Sequence, residues 1–93
     1  MLDLIKSIIR AAVPESTVYV LDPRGDGVHL EALVISSTFE GMSLIKQHKL
    51  VMNALKDKFS DDLHALALKT MTPAQWESKR AHYLPIIKNS TQG

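Results

Sequence analysis

Along residues 2–13 the apolar side chains of Leu2, Ile5, Ile8, Ile9 and Ala12 recur on one side of a 3.6-residue helix, while Asp3, Lys6, Ser7 and Arg10 fall opposite. This pattern predicts an amphipathic first helix, ended by Pro14, which cannot continue the ladder. Thr17-Val18-Tyr19-Val20-Leu21 is β-branched and aromatic and predicts a strand. Asp22-Pro23-Arg24-Gly25-Asp26-Gly27 is dense in turn formers, so residues 28–36 are expected to return antiparallel as a hairpin partner. Over residues 43–58 the period is helical again, with Leu44, His48, Val51 and Leu55 on one line and Lys46, Lys49, Asn53 and Lys56 on another, and a break is expected near Gln47. Residues 61–69 predict a third strand. Thr72, with Pro73 next and Gln75 three positions on, predicts a capped helix running to about residue 82. Pro85 and Asn89-Ser90-Thr91-Gln92-Gly93 then read as a frayed tail.

Three strands with helices to cover them predict an α+β fold. The third strand follows a helix, so it is free to pair parallel and make the sheet mixed. No repeat or linker interrupts the pattern, and the reading is one domain over residues 1–85 with a flexible tail at 86–93. Apolar residues at 45% and charged residues at 23% are ordinary for a globular chain. No apolar run reaches the roughly 20 residues of a spanning helix, and the first helix carries Asp3 and lacks the apolar core of a signal peptide. The expected setting is cytoplasmic, without membrane contact.

There is no cysteine, so the chain cannot by itself supply the thiolates of a conventional iron–sulfur cluster or a structural zinc, and disulfide redox chemistry is excluded. Net charge is +1, but it is unevenly spread: residues 1–40 hold three Lys/Arg against six Asp/Glu, and residues 41–93 hold eight against four. The basic half is a weak footprint for nucleic acid.

Four histidines are the candidate chemistry. His64, at the start of the third apolar run, reads on spacing alone as a hydrogen-bonded structural residue. His29, where the glycine-rich loop meets the second strand, has two readings: a ligand with reach, or a solvent-facing imidazole beside Glu31 on the same face. His48 lies one turn from Leu44 and Val51 and reads as packed; His82, near the tail, reads as solvated. Asp61-Asp62 would alternate faces on a strand, and Met42, Met52 and Met71 are scattered, so neither set makes a site. Neither a Gly-x-Ser-x-Gly elbow nor a His-Glu-x-x-His run occurs, and no catalytic activity is expected.

Over residues 18–76, Ser37-Thr38-Phe39-Glu40-Gly41-Met42-Ser43-Leu44, Gln47-His48-Lys49-Leu50-Val51 and His64-Ala65-Leu66 through Thr72-Pro73-Ala74-Gln75-Trp76 resemble the BolA family. The resemblance implies the order α-β-β-α-α-β-α in a fold like the class II KH domain. It also implies a non-enzymatic iron–sulfur adaptor that binds a monothiol glutaredoxin and shares a [2Fe–2S] cluster with that partner and its glutathione. It makes His64 the metal ligand, with a second ligand, Cys or His, in the loop between the first two strands, where His29 is the histidine available. The isolated chain is then expected to be free of cofactor and a monomer or weak homodimer. A competing implication is a DNA-binding transcription regulator, with weak phosphate contacts from Lys46, Lys49 and Lys56; the Gly-x-x-Gly clamp of KH domains is missing, since Gly41 is followed only by Gly93.

Overall fold

In the computed structural model, residues 2–26, 29–59 and 66–90 are described. The elements are α1 (Leu2–Ala12), β1 (Ser16–Leu21), β2 (Leu30–Ser36), a single 3₁₀ turn (Ser37–Phe39), α2 (Leu44–Phe59), β3 (Leu66–Met71) and α3 (Pro73–Ser90). The strands lie in the order β1-β2-β3. β1 pairs antiparallel with β2, from Ser16 opposite Ser36 to Leu21 opposite Glu31, and β2 pairs parallel with β3, from Leu30 beside Leu66 to Ile35 beside Met71. The sheet is mixed, as expected. The two middle helices of the expected order are the short Ser37–Phe39 turn and α2, and α2 is continuous past Gln47.

Strand alternation sorts the core into two layers. Val18, Val20, Leu30, Ala32 and Val34 face α1 and α2, where they meet Ile5, Ile9, Val51 and Leu55. Leu21, Leu33, Ile35 and Met71 face α3. Because both faces are covered, β2 is buried almost along its whole length. A left-handed Glu15, at φ 55, turns the chain from α1 into β1, and the Pro14 carbonyl accepts hydrogen bonds from Ser36 Oγ (2.7 Å) and Thr38 Oγ1 (3.1 Å).

The first turn of α2 departs from the expected apolar line. Leu44 is 60% exposed and His48 half-buried, while Gln47, at 6%, joins Val51 and Leu55 on the buried face. The amide is fully engaged: Nε2 donates to the carbonyls of Met42 (3.0 Å) and Phe39 (3.5 Å), and Oε1 accepts from Thr70 Oγ1 (2.6 Å). A polar group is tolerated in the core when its hydrogen bonds are made there, and this one ties the loop, α2 and β3 together.

α3 opens on the expected capping box. Thr72 Oγ1 accepts from the Gln75 amide (3.3 Å), and the Thr72 amide donates to Gln75 Oε1 (2.9 Å). Thr72→Ala is expected to cost about 0.5–2 kcal/mol, read from urea unfolding; unchanged stability would mean that this cap contributes nothing. The helix ends later than the expected residue 82: it passes through Pro85 to Ser90, and residues 86–90, assigned above to the tail, are helical. An interior proline costs roughly 3 kcal/mol, which tertiary packing offsets. Trp76, Tyr83 and Ile87 form one line on α3, and Trp76 packs between Tyr19 and Tyr83 with ring centroids 5.8 and 6.2 Å apart.

Candidate functional site

The parallel pairing of β2 and β3 starts both strands at the same end of the sheet, and His29 immediately precedes β2 there. Asp26 fixes it twice. Its Oδ1 accepts from the His29 backbone amide at 2.9 Å, and its Oδ2 lies 2.7 Å from Nδ1 of the ring. An ionised carboxylate only accepts, so it favours the proton on Nδ1, and in the neutral ring Nε2 then holds the free lone pair. This carboxylate–imidazole arrangement orients metal-binding histidines. The side chain is half-exposed, and Nε2 meets no hydrogen-bond partner among the described residues. The imidazole's partner is Asp26. The sequence carried a signal for this: an aspartate three residues ahead, in a turn closed by the Gly25 amide on the Asp22 carbonyl (3.1 Å) with Gly25 at φ 67.

His64, Asp61 and Asp62 lie outside the described residues. His48 sits in a groove with Leu44, Thr70 and Tyr83, part-buried rather than in the core. His82 is exposed and touches only the edge of Tyr83, at 5.1 Å between centroids, among the contacts described. Among the described residues no three His, Cys, Asp or Glu gather into a metal site, so His29 stands as a single donor. Met42 and Met52 pack on one face of the sheet and Met71 on the other. Lys46, Lys49 and Lys56 are exposed on α2. Among the described residues no helix is long and apolar enough to cross a membrane.

The family model for BolA-like proteins matches residues 10–75. The chain belongs to the BolA-like family. BolA-like protein 1 of Mus musculus is 46% identical over 54 residues, which are 58% of this chain and 39% of that protein, so the chain spans about two fifths of that relative. The acid stress protein IbaG of Escherichia coli K12 is 32% identical over 77 residues, covering 82% of this chain and 88% of its own. The solution structure of the BolA1 protein from Mus musculus superposes with a TM-score of 0.72 at 30% identity, covering 85% of this chain and 70% of the other. The mixed three-stranded sheet with three helices is thus the BolA-like fold, and none of these names is that of an enzyme.

Proposed function

We propose that this BolA-like chain is a non-enzymatic adaptor that binds a monothiol glutaredoxin in the cytoplasm and shares a [2Fe–2S] cluster with it, through His64 and His29. The register of β2 and β3 carries the reading. Leu66, two residues after His64, is paired with Leu30, the residue after His29. His29 and His64 thus stand one and two residues ahead of paired strand residues in the sequence, and this supports reading them as ligands of one cluster.

The donor set fits such a cluster in a specific way. A chain without cysteine offers imidazole, and His29 offers one whose tautomer Asp26 already selects. The remaining ligands are thiolates, which a glutaredoxin cysteine and glutathione supply. Bound there, the cluster supplies one-electron redox chemistry or is itself the cargo. The protein's part is to present Nε2, to hold Nδ1–H on the Asp26 carboxylate, and to release the ligand when acid protonates the imidazole.

Co-expression with a monothiol glutaredoxin tests this. The co-purified pair is expected to be coloured, with visible absorption distinct from that of the glutaredoxin alone, and the isolated chain colourless. A pair that forms without colour, or a coloured glutaredoxin that never retains this chain, would refute the adaptor role. The exposed Lys46, Lys49 and Lys56 face supports the second reading, DNA binding, with phosphate contacts from side chains on α2 instead of a glycine clamp.

A further inference from the structure

Residues 68–71 line one groove together, although consecutive strand residues send their side chains to opposite faces. Leu68 packs with the α2 layer and Met71 with the α3 layer. What all four share is the backbone edge of β3. That strand pairs with β2 on one side, and on its other side pairs with no strand among the described residues. Alternate N–H and C=O groups along that edge therefore point into the groove, ready for a further strand. Leu44 and His48 of α2 form one wall; Lys79 and Tyr83 of α3 form the other.

We propose that this slot takes an extended, acidic segment of a partner protein, which adds to β3 as a fourth strand. Charge chooses the occupant. Lys69 and Lys79 are exposed in the groove and no carboxylate lines it among the described residues, so a strand with alternating acidic and apolar side chains meets cations on the α3 side and the 60%-exposed Leu44 on the α2 side. A second copy of this chain is disfavoured by the same residues: pairing β3 with β3 about a twofold sets Lys69 and Lys79 against their own counterparts. Edge lysines of this kind block self-association while leaving the edge open to an acidic strand. The inference goes beyond the cluster reading and uses neither His29 nor His64, so each can fail without the other.

The test is an amide NMR titration of the isotopically labelled full chain with a blocked octapeptide of alternating valine and glutamate. Shifts and slowed amide exchange are expected along residues 68–71, with smaller shifts at Leu44 and Tyr83. The valine–lysine peptide should not bind. A valine–glutamate peptide N-methylated at alternate residues should lose binding in the phase that faces the edge. Lys69→Glu with Lys79→Glu, both at exposed positions, should weaken the acidic peptide roughly tenfold or more and admit the basic one. No binding, shifts confined to β1, or equal binding of both N-methylated phases would overturn the proposal. Concentration-dependent shifts along β3 without peptide would assign the edge to a second copy instead.

Discussion

Replacing His64 by alanine is expected to abolish the coloured complex with a monothiol glutaredoxin, or to move its visible absorption, while thermal stability changes little. An imidazole that ligates is lost as a donor, and a chain without cysteine has no thiolate with which to replace it. His29→Ala should act in the same direction but more weakly. The Asp26 contacts sharpen this comparison. A loop histidine pays an ordering cost when it binds, and the two hydrogen bonds this one donates to the Asp26 carboxylate have already restricted it. Asp26→Asn is therefore expected to lower cluster retention roughly ten- to hundredfold with His29 still present, the usual cost of losing the partner that orients a metal-binding imidazole. Visible absorption and iron content of the co-purified pairs read all three variants. If His64→Ala leaves complex and spectrum unchanged, the iron–sulfur reading loses its central ligand. If Asp26→Asn matches the unaltered chain while His29→Ala does not, the carboxylate has no part in orienting the ring.

The sheet was legible because its residues obey one rule at a time. β1 alternates, the Asp22–Gly27 run is turn-rich, and the capping box at Thr72 is a local signal met by two hydrogen bonds. Misreadings arose where long-range contacts outweigh local preference. Pro85 reads as a stop, yet Trp76, Tyr83 and Ile87 keep α3 on the sheet beyond it; their spacing of seven and four residues was the available clue. Leu44 looked like the start of a buried line because leucine usually is, whereas Gln47 occupies that position. Nothing within one helix reveals that the loop carbonyls of Phe39 and Met42 and the hydroxyl of Thr70 converge on that point. The same holds for the site. Asp26 stood three residues from His29 in the sequence, but the pairing of Leu30 with Leu66, which relates two segments 36 positions apart, is a property of the parallel sheet.

Gln47→Leu is expected to lower stability by about 2–4 kcal/mol. Leucine matches the buried volume but supplies no polar atoms. The Thr70 hydroxyl, 8% exposed, then loses its acceptor, and the Met42 carbonyl loses its side-chain donor. Each buried group stranded in this way costs about 1–3 kcal/mol, whereas a hydrogen bond made in the core nets only about 1 kcal/mol. Domains of this size have of order 5–15 kcal/mol in total, so the midpoint of urea unfolding should fall plainly. Adding Thr70→Val should restore about 1 kcal/mol or more, because removing both partners leaves one fewer stranded group; that non-additivity is the signature of a direct contact. His48→Ala, one residue further along α2 and only part-buried, should cost less than Gln47→Leu. A Gln47→Leu loss below about 0.5 kcal/mol, or strict additivity with Thr70→Val, would show that the amide merely occupies the space and that the loop and β3 are held by apolar packing alone.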